Sequence, residues 1–221
     1  GLTDCANEFK IPCIGGKVSL YNETPSGPIK PTPLIGVLGL IDKKPLVSQK
    51  ILSGDNLVII GDTKDELGGS EYFEYIHKFI GGNCPTVNFK ESKKNMSSVL
   101  DSIKQQIPKS VHDCSKGGLA VAVAELCMTN QIGCKVSLNK VPGEKLTDDR
   151  ILFSESHSRY LLTINEKNIK KLENILKKNK VTFQIIGKFG SKKIQFVHGT
   201  KSIIDLDVDK AQKTWFNSLK N

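Results

Sequence analysis

Residues 110–128 read SVHDCSKGGLAVAVAELCM and carry the clearest structural pattern in the chain. Ser110 to Asp113 has the character of a short β-strand, and a turn follows it. From Leu119 to Met128 only Glu125 is charged, and an apolar run of this length, rich in Ala and Leu, is typical of a buried helix. This stretch therefore predicts a strand, a turn and a buried helix in succession, within a domain that combines both kinds of element.

The start of this helix is predicted to attract anions. Asp113 or Ser115 offers a side-chain oxygen that can cap the first turn. Gly117 and Gly118 let another group approach the backbone closely, and free N–H groups at a helix start favour an anion by roughly 0.3–1 kcal/mol per charge. A well-capped turn without a ligand is the commoner explanation of such a pattern, so both interpretations stay open.

Length and composition indicate a globular protein. The chain has 221 residues, of which 38% are hydrophobic and 25% charged, enough to build a core. No apolar run approaches the ~20 residues that span a bilayer, and no signal peptide is present, so we predict no membrane partner. Because the chain begins with Gly1 rather than Met, we expect it to be a piece of a longer protein.

The formal net charge of +9 raises the question of nucleic-acid binding. The densest basic group, residues 169–180, faces away from an apolar stripe of its own helix, as on an ordinary solvated surface. No RNA-binding aromatic motif accompanies it. We therefore predict no nucleic-acid partner, and a basic surface suits phosphorylated metabolites equally well.

The six cysteines predict a reducing compartment. They stand at positions 5, 13, 84, 114, 127 and 134, and none forms a Cys-x-x-Cys pair. This spacing favours small buried hydrophobic residues over a disulfide framework or a zinc site. The predicted location is the cytoplasm.

The remaining pattern predicts an α/β or α+β fold with a mixed sheet and flanking helices. A helix is predicted to end before a turn at Pro12, Asn165 and Asp207 are predicted helix caps, and Gly190-Ser191 is predicted to close a hairpin. The other predicted strands are 17–21, 34–41, 56–61, 110–113, 135–138, 159–164, 182–189, 193–197 and 202–206. The other predicted helices are an amphipathic one within 67–82, one at 96–107, and those after residues 165 and 207.

The order of elements indicates that the N-terminal piece is the tail of one domain, and the alternating strands and helices after it belong to another. Residues 46–221 are predicted to form one compact domain. Residues 1–45 hold too few strands to close a core, although the apolar run 34–41 has the composition of a strand covered on both faces. We therefore expect unpaired strand edges here, and self-association through this segment.

Four motifs carry the candidate chemistry: GGKVSLYNET (15–24), LGGSEYF (67–73), HDCSKGGLA (112–120) and FSESHSRY (153–160). Three of them place a Gly-Gly pair beside a strand end or a helix start, where backbone N–H groups are free. The fourth offers hydroxyl groups, a carboxylate and an arginine suited to phosphate or carboxylate. Together they predict a protein that handles phosphate groups.

In this order, the four motifs resemble the phosphoribosylformylglycinamidine synthase family of the aminoimidazole ribonucleotide synthase superfamily, specifically its C-terminal part. The resemblance covers essentially the whole chain. It implies that residues 1–45 are the last strands of the second N-terminal-type domain. Residues 46–221 would then be the whole second C-terminal-type domain.

The resemblance implies an ATP-dependent C–N ligase of purine biosynthesis. Such enzymes convert formylglycinamide ribonucleotide (FGAR) into the amidine, using ATP, Mg²⁺ and ammonia from glutamine. The catalytic histidine and most magnesium carboxylates of the family lie upstream, so we expect this chain alone to be inactive. The implied partners are the missing N-terminal half, a glutaminase subunit and a small third subunit.

The resemblance also implies site residues. Gly16 and Lys17 match nucleotide-binding positions and Ser19 a substrate-binding position, but Lys17 stands where the family has a magnesium-binding Asn, so no metal ligand is assigned. A second, pseudo-symmetric site need not be catalytic. Its residues are Asp113, Ser115, Gly117, Gly118, Glu155, Ser156, His157 and Arg159.

Two other functional hypotheses remain. The chain could be a non-catalytic, nucleotide-stabilised scaffold, or part of another ATP-dependent enzyme of the superfamily, such as selenophosphate synthetase. Among the other ionisable residues, His112 is predicted to be structural, and His77 and His198 to lie on the surface. Glu125 is predicted to reach solvent or a backbone group.

Overall fold

The computed structural model describes residues 1–19, 21–41 and 47–218. The chain divides into two compact units, Gly1–Lys44 and Pro45–Asn221. The assignment of these units to two domain types of the superfamily stays a prediction.

The first unit contains little regular structure. Helix α1 (Leu2–Phe9) ends at Lys10, which has a left-handed φ of 56°, so the predicted helix end before Pro12 is confirmed. Two short strands, β1 (Glu23–Thr24) and β2 (Gly27–Pro28), form a small antiparallel hairpin. Among residues 1–19 and 21–41 none is buried.

The two longer strands predicted in this unit are wrong. The described residues of 17–21 and all of 34–41 pair with no other strand, and Leu20 lies outside the described residues. The described residues of this chain do not supply the predicted covering of 34–41, because Leu34 and Leu40 are 98% and 92% exposed. A strand needs a neighbour for its backbone groups, and the described residues supply none here.

The second unit holds seven further strands, six further α-helices and two short 3-10 helices among residues 47–218. The strands are β3 (Asn56–Ile60), β4 (Ser110–Asp113), β5 (Gly133–Ser137), β6 (Tyr160–Ile164), β7 (Phe183–Ser191), β8 (Lys193–His198) and β9 (Lys201–Asp207). The helices are α2 (Glu71–Tyr75), α3 (Phe89–Lys104), α4 (Gly118–Asn130), α5 (Asp148–Phe153), α6 (Ile169–Lys178) and α7 (Val208–Asn217). Strands and helices alternate along most of the unit, as predicted.

All seven strands join one sheet in the order β4-β6-β3-β7-β5-β8-β9. The pair β5–β8 is parallel, and the other neighbours are antiparallel. The predicted mixed sheet is therefore confirmed. Strand β9 lies at one edge of the sheet.

The sheet is covered on both faces. Along β3, Leu57 and Ile59 face a core that includes residues of α4, α5 and α7. Val58 and Ile60 face a second core that includes residues of α3 and α6. Since successive side chains of a strand point to opposite faces, an unbroken apolar strand predicts this three-layer arrangement.

Helix α4 is the buried helix that the sequence predicts, but its predicted cap is wrong. The residue at its N-cap is Gly117, with φ of 78°, and no side chain of that residue caps the helix. Asp113 belongs to β4 and is exposed, and the Ser115 carbonyl rather than its hydroxyl accepts from Gly118. The positive φ explains the change, because glycine adopts it without the penalty that a capping Ser or Asp would meet.

The predicted hairpin between β7 and β8 is also wrong. The two strands follow each other in the chain, but β5 lies between them in the sheet. Gly133 sits at the fork, paired with Ser191, and a Cβ at this position would lie 2.1 Å from the Lys193 carbonyl oxygen. Only a residue without a side chain fits there, so β5 can enter between the two strands.

Two helices differ from their predicted extents. Helix α2 has only five residues. The chain after it turns back toward the start of the helix, where Gly69 N–H donates to the Gly81 carbonyl at 2.9 Å. Helix α3 starts earlier than predicted, where the Asn88 side chain accepts from Glu91 N–H. Its first buried positions are polar, including Ser92 and Asn95, so an apolar periodicity does not reveal them.

The other predicted caps are confirmed. The Asn165 side chain accepts from Asn168 N–H and so caps the short 3-10 turn Glu166–Asn168, which leads directly into α6. Asp207 accepts from the N–H groups of Asp209 and Lys210 at the start of α7. No helix within the described ranges combines the length and the apolar character needed to cross a membrane.

Candidate functional site

Three of the four motifs meet at one carboxylate. Glu155 Oε1 accepts a hydrogen bond from Gly117 N–H at 2.9 Å and another from Glu71 N–H at 3.0 Å. Gly117 belongs to the turn before α4, and Glu71 begins α2 after the Gly68-Gly69 turn. At the start of α4, where the sequence predicts that an anion is favoured, the chain's own Glu155 carboxylate accepts these hydrogen bonds.

Both glycines of the α4 turn are needed for this arrangement. Gly118 has φ of 64°, and a Cβ at this position would lie 2.6 Å from the Ser154 carbonyl oxygen. Gly117 has φ of 78°, and both residues are buried. The positive φ values and the close approach of the loop before β6 bring Glu155 within reach of the helix start.

The segment 154–159 is bonded to residues 63–66. Ser156 Oγ accepts from Lys64 N–H at 3.0 Å, and Glu155 N–H donates to the Glu66 carbonyl at 3.0 Å. Glu66 N–H lies 3.4 Å from Ser154 Oγ. These bonds hold the Glu155 side chain in a defined position.

Arg159 is almost completely buried, with 1% of its surface exposed. Its guanidinium donates to the Ser154 carbonyl and to Thr63 Oγ1, and its Nε donates to the Ser156 carbonyl at 3.1 Å. Burial lowers the pKa of Arg159, while the nearby Cys114, Glu66 and Glu155 raise it. The guanidinium that the sequence suggests for phosphate thus binds protein oxygens.

A cleft of about 390 Å³ lies beside these groups. Lys116 at its rim donates to Glu71 Oε1 at 2.9 Å, and this hydrogen bond raises the pKa of Lys116. Burial raises the pKa of Cys114 to about 11, and burial with the neighbouring Asp113 raises the pKa of Tyr160. The residues that line the cleft are Asp113, Cys114, Ser115, Lys116, Glu155, His157, Ser158, Arg159 and Tyr160.

Most residues of the predicted pseudo-symmetric site gather in or beside this cleft. Asp113, Ser115 and His157 are exposed at it, and Gly117 and Gly118 lie behind Glu155. The Ser156 hydroxyl turns to Lys64 instead. Whether these residues bind a ligand stays a prediction.

The three residues predicted for nucleotide and substrate lie in the first unit. Gly16, Lys17 and Ser19 are all exposed, and open space surrounds the position of a Cβ at Gly16. The described residues around them form no strand. Their predicted roles are neither supported nor contradicted by this geometry.

Sequence reasoning missed Glu71, Glu66 and Thr63. Glu71 contributes both its N–H and its carboxylate to the site, and Thr63 accepts from Arg159. Glu71 stands inside the LGGSEYF motif, directly after the serine that caps α2, so its free N–H could have been inferred. No local pattern points to Thr63 or Glu66, because their partners are distant in sequence.

The structure gives no magnesium site of its own within the described residues. Across residues 1–19, 21–41 and 47–218, no three His, Cys, Asp or Glu side chains are grouped so that they could hold a metal ion. Magnesium prefers several oxygen ligands in octahedral geometry. The described donor set therefore does not fit a complete magnesium site.

The histidines have structural or surface positions. His112 Nε2 and Glu125 Oε2 lie 2.8 Å apart, so each has a side-chain partner, and Glu125 is also partly exposed to solvent as predicted. The structural role of His112 stays a prediction. His77 is exposed and packs edge-on against Tyr72. His198 is exposed and bonds to Asp148.

Solved structures of two differently named proteins share the fold of this chain. The chain superposes on Thermotoga maritima PurL complexed with FGAR with a TM-score of 0.68 and 17% identity, over 75% of this chain and 29% of the other. It superposes on Escherichia coli HypE, a hydrogenase maturation protein, with a TM-score of 0.54 and 15% identity, over 72% and 51% of the two chains. At these identities the superpositions show a shared fold.

Curated relatives align along nearly the whole chain. Phosphoribosylformylglycinamidine synthase subunit PurL of Methanocaldococcus jannaschii is 39% identical over 99% of this chain, and that of Thermococcus sibiricus is 37% identical over 99%. The chain spans 30% of the length of each of these relatives.

The family comparison agrees with the fold and with the arrangement of the motifs. Residues 53–199 match the model described as AIR synthase related protein, C-terminal domain. This range contains the sheet strands β3 to β8 and three of the four motifs. The chain therefore belongs to the AIR synthase related protein family, through its C-terminal domain.

Proposed function

We propose that this chain is the C-terminal part of a phosphoribosylformylglycinamidine synthase. The observation that carries the proposal is the 39% identity with the M. jannaschii PurL subunit along 99% of the chain, across both units. The chain spans 30% of that relative, so the activity belongs to a longer polypeptide. That polypeptide would convert FGAR into formylglycinamidine ribonucleotide, using ATP and glutamine-derived ammonia.

The first unit contributes ligand-binding residues in this proposal. The Gly16 backbone has the open space that a nucleotide phosphate needs, and Lys17 supplies an exposed ammonium beside it. Ser19, two positions further, offers a hydroxyl to FGAR. Phosphoryl-transfer sites act chiefly by positioning and charge neutralisation, which suits these groups.

Magnesium would neutralise ATP charge during the reaction. Because the described residues do not complete a magnesium site and Lys17 stands at the position of a family Asn, the metal carboxylates would come from elsewhere in the longer protein. Within this chain the Lys17 ammonium takes over part of the charge neutralisation.

The second unit acts as a scaffold in this proposal. This role is favoured because the hydrogen-bond donors of the site already bind protein oxygens. These donors are the N–H group at the start of α4, the Lys116 ammonium and the Arg159 guanidinium. The cleft with Asp113 and His157 at its edge is then the non-catalytic counterpart of an active site elsewhere.

The longer protein would work with other subunits. One T. maritima structure is described as PurLQS, and others show T. maritima PurL with ATP, ADP and AMPPCP. We propose a glutaminase subunit and a small third subunit as partners, and the cytoplasm as the location. The six cysteines are free in the structure, as a reducing compartment requires.

The proposal is tested by comparing the isolated chain with the full-length protein. Each is supplied with FGAR, ATP, Mg²⁺ and ammonium, and formation of the amidine is measured. The full-length protein should form the product, and the isolated chain should not. Product from the isolated chain would contradict its role as a part of the enzyme, and no product from the folded full-length protein would contradict the reaction itself.

A further inference from the structure

The start of α4 is the part of the second unit best shaped for an anion, and a side chain fills it. Glu155 Oε1 takes hydrogen bonds from Gly117 and Glu71 N–H groups at 2.9 and 3.0 Å, as an oxygen of a bound phosphate would. The two donors come from separate glycine turns, 38 and 84 residues away in sequence. One carboxylate oxygen thus joins both turns.

The cations beside this seat are bound to protein oxygens as well. Lys116 Nζ donates to Glu71 Oε1 at 2.9 Å. The buried Arg159 guanidinium donates to the Ser154 carbonyl and to Thr63 Oγ1. A phosphate at this place would therefore have to displace Glu155 and compete for both cations.

Access to the seat is also restricted. Gly117 is buried, and its N–H points to a half-buried carboxylate rather than to solvent. The bond from Glu155 N–H to the Glu66 carbonyl holds this carboxylate from its backbone side. An incoming anion would meet a fixed negative charge at the distance of a hydrogen bond, which is repulsive in a partly buried site.

From these contacts we infer that Glu155 determines the specificity of the cleft: it acts as a built-in anion that excludes phosphate groups from the start of α4. The inference does not depend on the proposed reaction, because it concerns contacts within the second unit. It predicts that removal of this one carboxylate creates a phosphate site that the natural chain does not have.

The test follows the backbone amides of Gly117 and Glu71 by ¹⁵N–¹H NMR of the whole 221-residue chain during titration with inorganic phosphate. In the natural chain these two amide signals should not respond saturably. In Glu155→Ala both signals should shift saturably, with an apparent phosphate affinity at least about tenfold above the upper limit that the natural chain sets, because the helix start then offers free N–H groups to an anion. Glu155→Gln keeps an oxygen acceptor without the charge and should give a smaller gain.

A matched control removes a carboxylate elsewhere. Glu173→Ala changes the net charge equally, on the surface of α6, and should leave both amides unresponsive to phosphate. If Glu155 only caps the helix, Glu155→Ala should lower stability without producing a phosphate response at Gly117.

Three results would overturn the inference. One is a saturable response of Gly117 to phosphate in the natural chain. Another is a folded Glu155→Ala, or a folded Glu155→Gln if the alanine variant does not fold, without any response. Failure of both variants to fold would make Glu155 purely structural and would equally refute its role in specificity.

Discussion

The two units of this chain use similar apolar residues with opposite results. In the second unit Leu57, Ile59 and Leu161 are fully buried in a sheet covered on both faces. In the first unit Leu34, Leu38 and Leu40 are between 90% and 98% exposed. Composition alone does not distinguish the run 34–41 from β3, since both would suit a covered strand.

The difference shows that burial depends on the presence of partner elements. Strand β3 has β6 and β7 as neighbours and helices on both sides. The described residues supply no such neighbour for 34–41. Since the chain spans 30% of its relatives' length, we propose that the remainder of the longer protein covers this run, and that isolated chains associate through it.

The largest expected effect comes from one pair of matched substitutions. Leu161→Ala removes a side chain with 0% exposure from the core, so the free energy of unfolding should fall by about 2–5 kcal/mol. Leu38→Ala, at 90% exposure, should change it by less than about 0.5 kcal/mol. Urea unfolding followed by circular dichroism measures both. Equal losses for the two variants would contradict the contrast between the units.

The second prediction concerns the first unit, which contributes little to stability but is proposed to bind ATP. In the full-length protein, Lys17→Ala should weaken ATP binding by about 1.5–3 kcal/mol, the range for hydrogen bonds to charged groups. Lys17→Asn should recover much of this loss only when magnesium is raised. The measurement is an ATP titration at two magnesium levels.

Lys50→Ala is the control for Lys17, since it removes another exposed lysine. It should leave ATP affinity unchanged. Equal affinities of the natural protein and both Lys17 variants would show that Lys17 has no part in binding.

A third comparison tests whether Arg159 is structural. Arg159→Met leaves the Ser154 and Ser156 carbonyls and Thr63 without their donor, so the free energy of unfolding should fall by about 1–3 kcal/mol. Arg150→Met breaks an exposed ion pair with Asp65 and should cost less than about 1 kcal/mol. Thermal and urea unfolding measure the difference. If Arg159→Met were as stable as the natural chain, the hydrogen bonds of the guanidinium would not contribute to the stability of the fold.

The next prediction compares the reactivity of exposed and buried cysteine thiols in the natural chain and needs no substitution. Cys5, Cys13 and Cys84 are exposed, so three of the six thiols should react with a thiol reagent in the folded chain, and all six after unfolding. The buried group comprises Cys114, Cys127 and Cys134. Rapid reaction of more than three thiols under native conditions would refute this burial.

The same thiols predict how stability changes with pH. Burial raises the pKa of Cys114 from 9.0 to about 11 and that of Cys127 to about 12. Above pH 9.0 the unfolded chain loses thiol protons that the folded chain keeps, so the free energy of unfolding should fall as pH rises toward 11. Urea unfolding at several alkaline pH values measures this slope, and a rise of stability over that range would contradict it.

Local sequence determined much of the secondary structure. The apolar runs predict β3 and the buried helix α4, and single residues such as Asn165 and Asp207 predict helix starts, because capping and periodicity act within a few residues. The motifs also indicated the surroundings of the site, since three of them meet there. The polar start of α3 was missed because its buried face is not apolar.

Tertiary structure alone decided which groups are paired. The insertion of β5 between β7 and β8 requires the backbone of Gly133 to pass close to the backbone of Lys193. The sequence of the β7–β8 turn does not predict this insertion. The anion seat at Gly117 was predictable, but its occupant Glu155 lies 38 residues away, and 84 residues separate Glu155 from Glu71. Hydrogen bonds between such distant residues form only when the sheet brings their loops together, so no local pattern specifies them.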